Sequence, residues 1–265
     1  MQLSPSPALA GIIRHFLLLE NNSSECKRFR LFPDGSPGMV FTLKGCLKGA
    51  SLYSDTFPES FIYGQLTQYL DIYAEANTRL MIVPFHPASF SSLLGIPAVS
   101  LADQITEMNM ITGNDLRIEL QSLQETSTEK NVKMIEALVM KKCLENVPGK
   151  LQVADRALQV IRQHKGGISV KELCSVTGCH QRNLERLFRE FVGLSPKRLC
   201  TIHRVHNFIR ETRTDRSSAR FTSGALSSGY FDQAHLNHEF KSLTGITPGD
   251  YFRNGERLAV NFFSV

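Results

Sequence analysis

The sequence predicts an α+β protein: a β-rich N-terminal domain with terminal helices, followed by an all-α domain of two helix–turn–helix motifs joined by a long helix. Three observations carry this reading. First, the last hundred residues hold one pattern twice, TGCHQRNLERLFREFVGLSP around Gly178 and SGYFDQAHLNHEFKSLTGITP around Gly229. Leu184, Phe188, Gly193, Ser195 and Pro196 fall opposite Leu236, Phe240, Gly245, Thr247 and Pro248, each pair offset by 52. A repeat on this scale is one supersecondary unit used twice. Second, the charge is divided. Residues 1–147 carry 12 Lys/Arg against 15 Asp/Glu, whereas residues 148–265 carry 18 against 10. An acidic half joined to a basic half is expected when only one of them faces a polyanion. Third, the first 110 residues are dense in turn chemistry between short apolar runs.

These runs place the strands. FTLKG and FIYG, rich in aromatic and β-branched residues, are each closed by glycine, and RLMIVPF is closed by proline. Pro33-Asp34-Gly35, Ser36-Pro37-Gly38 and Gly95-Ile96-Pro97 supply turns between them. After Gly113 the texture becomes helical. Asn114 can cap a helix bearing Leu116, Leu120 and Leu123, and a second helix carries Val132, Ile135, Leu138, Val139 and Cys143 on its apolar side. This helical pair serves either dimerisation or cover for the β body. Pro148-Gly149 then marks a boundary, dividing the chain into a domain over 1–147 and a second over 148–265.

The second domain reads as helical throughout. Ala157, Leu158 and Ile161 share one face, and Gly166-Gly167 ends that helix. Ser169 and Glu172 form a capping box ahead of Val170, Leu173 and Cys174. After the Thr177-Gly178 turn come Leu184, Leu187, Phe188 and Phe191, the i, i+3, i+4, i+7 set of an amphipathic helix. Gly193 stops it, and Ser195-Pro196 is an N-cap and first-turn pair that starts a connecting helix lined by Leu199, Ile202, Val205 and Ile209. The polar loop TRTDRSSAR leads to the second copy.

With its core face inward, the first copy's second helix leaves Arg182, Glu185, Arg186 and Arg189 outside. The matching helix of the second copy leaves Gln233, Ala234, Asn237, His238 and Lys241. Arginine presents a planar fork that matches guanine O6 and N7, Gln and Asn match the adenine edge, and an alanine methyl suits thymine. Lys241 suits phosphate. The connecting helix, about residues 196–213, spans roughly 27 Å at 1.5 Å per residue. Adjacent major grooves on one face of duplex DNA lie roughly 34 Å apart, so one chain can set two recognition helices in successive grooves.

Residues 151–254 resemble the AraC/XylS-type DNA-binding module, two helix-turn-helix motifs joined by a long helix. The likeness rests on the endings Gly193-Leu194-Ser195-Pro196 and Gly245-Ile246-Thr247-Pro248 and on GYFDQAHLNHEFKSLTG. It implies a transcription regulator whose base-contacting positions are Arg182, Glu185 and Arg186 in the first motif and Gln233, Ala234, Asn237 and His238 in the second. Two positions depart from the pattern. Gly224 stands where an aliphatic residue is usual, and Glu239 takes the place of Leu187, reducing the apolar surface buried by that helix. The front half is similar to an uncharacterised domain found ahead of such modules, through PSPALAGIIRHF, Phe32-Pro33-Asp34-Gly35, Phe85-His86-Pro87 and Leu94-Gly95-Ile96-Pro97. His86 stands where the resemblance leads one to expect arginine. The implied role of this half is effector sensing or dimerisation.

The partners expected are double-stranded DNA, a small-molecule effector at the N-terminal domain, a second copy of the chain, and RNA polymerase where the output is activation. No cofactor, catalytic residue or bound metal is expected. The alternative is a repair-type enzyme with a reactive cysteine fused to a DNA-binding module, for which Cys26 and Cys46 are the candidates in the front half. Cys174, Cys179 and His180 lie close in sequence, but the two cysteines occupy apolar core places of the first motif, and structural zinc sites space cysteines more tightly. The start, MQLSPSPALAGIIRHF, lacks a basic n-region and a cleavage site, and no apolar run approaches the roughly 18 residues of a membrane span. Scattered cysteines without CxxC pairs fit a reduced, cytoplasmic compartment and contact with no membrane.

Overall fold

In the computed structural model, which describes residues 1–49, 56–108, 127–145, 152–212, 228–230, 232–253 and 257–264, two antiparallel sheets lie face to face in the front half. The strands, in chain order, begin with β1 (Gln2–Leu3), β2 (Phe16–Asn21), β3 (Lys27–Leu31), β4 (Gly38–Lys44) and β5 (Leu47–Gly49). They continue with β6 (Ser60–Tyr63), β7 (Leu70–Ala74), β8 (Thr78–Pro84), β9 (Ile105–Glu107), β10 (Arg257–Ala259) and β11 (Phe262–Ser264). The first sheet has the order β1-β2-β8-β4-β6-β9 and the second β10-β11-β3-β7-β5. FTLKG, FIYG and RLMIVPF fall in β4, β6 and β8, as their composition predicts.

The central strands of the first sheet lack a polar alternation because both of their faces are covered. Met39, Phe41 and Leu43 of β4 and Met81 and Val83 of β8 point to one core, shared with Phe90, Leu93, Ile135, Leu138 and Val139 of two helices. These helices are α1 (Pro87–Leu94) and α2 (Thr128–Glu145). Val40 and Leu80, one residue out of step, point to the second sheet and join Phe29, Ile72 and Phe262. Successive strand side chains face opposite ways, and here both ways lead indoors. The apolar side of α2 is therefore spent on covering the β body, the role left open against dimerisation. The expected helix from Asn114 lies outside the described residues.

The remaining helices are α3 (Gln152–Gln163), α4 (Val170–Thr177), α5 (Gln181–Phe191), α6 (Pro196–Thr212), α7 (Gln233–Thr244) and α8 (Pro248–Arg253). Their common core holds Ala157, Ile161, Leu173, Leu184, Phe188, Leu199, Ile202, Val205, Ile209, Leu236, Phe240 and Leu243. One member comes from elsewhere. Phe32, in the β3–β4 loop, is fully buried among these helices, with its ring 6.0 Å from that of Tyr251 and 6.2 Å from that of Phe263.

The division expected after residue 147 places β10 and β11 with the helical half by sequence. In space β11 pairs with β3, Phe262 opposite Leu31 and Ser264 opposite Phe29, so the end of the chain completes the second sheet. Pro148-Gly149, TRTDRSSAR from Arg213 onward, and Gly224 lie outside the described residues.

Candidate nucleic-acid interface

The first motif is built from α4 and α5. Ser169 Oγ accepts the backbone N–H of Glu172, whose carboxylate accepts the backbone N–H of Ser169 at 2.9 Å, closing the predicted capping box. Such a cap satisfies donors that the first turn of a helix leaves orphaned. The glycines of the repeated ending have a backbone reason. Gly193 and Gly245 adopt φ of 85° and 75° just past α5 and α7, a left-handed conformation that side chains disfavour. Ser195 and Thr247 then cap the helices that follow, their hydroxyls accepting N–H groups from Arg198 and Asp250 at 3.2 Å. Asp232 caps α7 through the N–H of His235 at 2.7 Å. Each copy of the repeat is thus a helix that stops on glycine and a next helix that starts on a hydroxyl.

Core and surface divide as the spacing predicts. Leu184, Leu187 and Phe188 are buried, while Arg182, Glu185, Arg186 and Arg189 are exposed. On α7, Leu236, Phe240 and Leu243 are buried, and Gln233, Ala234, Asn237, His238 and Lys241 are exposed. Arg186 is already oriented by Glu190 at 2.9 Å and by Asn183 Oδ1 at 3.0 Å. An exposed pair of this kind contributes about 0–1 kcal/mol, so an incoming base edge or phosphate can replace it cheaply. Gln181 likewise donates to Glu185 at 2.9 Å.

Glu239 departs from the sequence reading. In place of a lost apolar contact, its carboxylate lies 85% buried against α6, accepting Arg204 Nη2 at 2.6 Å and Thr201 Oγ1 at 3.3 Å. Arg204 also donates to the Gly166 carbonyl at 3.3 Å and sits over the Tyr230 ring at 5.7 Å. Polar groups here do the joining that leucine does in the first motif.

Sequence reasoning missed a second site. A cavity of about 650 Å³ opens between the sheets, lined by apolar residues including Leu17, Val40, Phe61, Ile72, Leu80 and Phe262. Its remaining wall is basic: Arg14 and His15, Arg162 of α3, and His203, His206 and Arg210 of α6. Among the described residues, Asp34 is the one acid in the lining, bound to Arg14 at 3.1 Å. Burial, then His206 and the three arginines, push the His203 imidazole down to about 4. Burial also lowers His206, whose Nε2 lies 2.8 Å from the Pro33 carbonyl. Burial and Arg14 lower His15. Three arginines facing a single carboxylate leave this wall with a surplus of positive charge. The only legible trace was the i, i+3, i+7 spacing of His203, His206 and Arg210. Arg14 and Arg162 are brought there by the fold.

Burial and Glu75 raise the Cys46 thiol, the reverse of an activated nucleophile. Among the described residues, no group of three or more His, Cys, Asp or Glu is placed to hold a metal ion, and no helix is long and apolar enough to cross a membrane. His86 is half-buried at the start of α1, its ring lowered by burial and then by Arg14 and Arg162.

Residues 173–254 match a family model described as a helix-turn-helix domain, and residues 1–107 match one described as a domain of unknown function, DUF6597. No curated protein matches the chain. Among solved structures, ToxT from Vibrio cholerae is similar, with 13% identity over 90% of this chain and 98% of that one and a TM-score of 0.51. Wild-type ToxT from strain SCE256 with unsaturated fatty acid bound is similar too, at 14% identity over 89% of this chain and 94% of that one and a TM-score of 0.50. At these identities the likeness is one of fold.

Proposed function

We propose that this chain, which carries a helix-turn-helix domain, is a DNA-binding transcription regulator of the AraC type, that α5 and α7 read successive major grooves of duplex DNA, and that a ligand in the inter-sheet cavity tunes their grip. The observation that carries the groove reading is the pair of outward faces. All nine predicted contact residues are exposed, and Glu185 is the one carboxylate among them. The 17 residues of α6 span about 25 Å, a length suited to adjacent grooves. Arg182, Glu185 and Arg186, with Gln233, Ala234, Asn237 and His238, take the base edges. Arg189 and Lys241 take phosphate.

Residues 148–265 supply this interface and residues 1–147 the control. The ligand class follows from the cavity, whose apolar walls and surplus of arginine suit an amphipathic anion. ToxT, similar in fold, has been solved with unsaturated fatty acid bound, and an unsaturated fatty acid is the first probe to use. No catalytic step is assigned to the chain.

Selection of duplexes by the full chain from a random pool tests the groove reading. Two protected half-sites about one helical turn apart, with affinity falling steeply between 50 and 200 mM salt, are expected. A single half-site, or binding insensitive to salt, would overturn it.

A further inference from the structure

Both recognition helices end against the N-terminal domain. The last turn of α5 runs along α1 and the short 3-10 turn Ala98–Leu101. There Ser91 Oγ, which also lies 2.7 Å from the Ile96 carbonyl and shares its one proton between the two, is 3.1 Å from the Glu190 carbonyl, and a Cβ on Gly193 would come within 3.0 Å of the Ala98 carbonyl. The last turn of α7 runs against the second sheet. Arg30, held by both Asp71 oxygens at 2.6 and 2.7 Å and laid over the Tyr69 ring at 4.0 Å, points Nη1 at the Thr244 carbonyl 3.5 Å away. A side chain on Gly245 would collide with the Tyr69 ring and with Arg30. Cations and hydroxyl donors are favoured at helix C-termini, where carbonyls lack intrahelical partners and the helix dipole is negative.

The opposite ends remain open. Arg182 and Gln233, in the first turns of α5 and α7, are exposed, and recognition helices of this type read base edges with their N-terminal residues. The contacts therefore grip each helix by the end that does not read DNA. The C-terminal hairpin adds a third tie, since Tyr251 of α8 donates to the Val260 carbonyl at 2.7 Å and the chain then pairs with β3.

We propose that Ser91, Tyr69 and Arg30 are positioning residues through which the N-terminal domain fixes the separation and rotation of the two recognition helices, and so sets the half-site spacing the chain accepts. The inference rests on the groove reading above. Inserting one base pair turns a half-site by roughly 35° and shifts it by about 3.4 Å. Close-packed contacts do not absorb such a change gradually, so two helices held by one body lose contacts on one side when the spacing is wrong.

The best duplex selected by the full chain would be rebuilt with its half-sites one base pair closer and one farther. The parent chain is expected to lose at least about tenfold in affinity for either change, the scale of a mismatched contact. The double variant Ser91→Ala/Tyr69→Ala is expected to stay within about twofold at the best spacing and to lose less than about threefold at the others. Tyr69→Ala alone, at a position 38% exposed and so little able to disturb folding, is expected to flatten the profile in part. Arg186→Ala serves as control, lowering affinity at the best spacing while the preference for that spacing remains. Superimposable profiles for parent and variants would overturn the inference, as would a flat profile for the parent. A parent that retains no duplex overturns the groove reading itself, which is a distinct result.

Discussion

Arg204 of the connecting helix donates to Glu239 of the second recognition helix at 2.6 Å, and each side chain is about 85% buried. Removing one partner of a buried pair leaves an uncompensated charge, whereas replacing both with apolar residues is often close to neutral. Glu239→Leu is therefore expected to cost about 3–5 kcal/mol, and Arg204→Met/Glu239→Leu to recover most of it. Urea unfolding of the two variants checks this. Equal losses in both would show that the pair contributes through packing alone.

The helical half was legible because its signals are local. Gly178, Gly193 and Gly245 act within one turn of themselves, and the i, i+3, i+4 core of α5 needs no knowledge of what it packs against. The features missed depend on distant partners. Glu239 read as a lost leucine because Arg204 lies 35 residues away. The strands β3 and β7, KRFRL and LDIYA, look half-polar, yet Arg30 is buried by its contacts with Tyr69 and the end of α7. The basic wall of the cavity gathers Arg14, Arg162 and His203 from three segments, so spacing along the chain held only the part contributed by α6.

Phe32 ties the two halves of the chain together. It belongs to the β3–β4 loop but is buried in the helical core against Tyr251 and Phe263. Phe32→Ala leaves a cavity that the flanking elements cannot close, at a cost of about 3–5 kcal/mol. Native-state hydrogen exchange should show faster exchange in α8 as well as in β3. Loss of protection confined to the sheet would mean that the plug does not join the halves.

Acid should weaken the native state through the cavity histidines. His203 is lowered to about 4 in the fold from an ordinary value of about 6.5. Between these pH values the unfolded chain binds the proton that the folded chain refuses, and stability rises with pH wherever the unfolded state binds more protons. This contribution is thus complete above about pH 6.5 and is lost progressively down to about pH 4. A bound anion beside Arg14 and Arg210 would raise His203 again, so an unsaturated fatty acid is expected to bind more tightly at pH 5.5 than at pH 7.5. Thermal unfolding of the parent and of His203→Asn across this range, with and without the fatty acid, provides the check. An unchanged pH profile in His203→Asn would remove this residue from the account.

The two outward faces make separate demands on DNA. Arg186 is freed from Glu190 at small cost, because both side chains are exposed, at 63% and 43%. Arg186→Ala is accordingly expected to weaken binding by about 1–3 kcal/mol and to relax base preference in the half-site under α5. Asn237→Ala should have a similar effect under α7, about one helical turn away. Lys241→Ala should instead lower affinity on all sequences alike and reduce the salt slope by about one. The three variants differ in kind, so binding of each to a panel of single-base operator changes at two salt concentrations separates them. If Arg186→Ala and Asn237→Ala alter preference in the same half-site, the helices do not occupy separate grooves, and the second motif would have to be assigned to phosphate contacts alone.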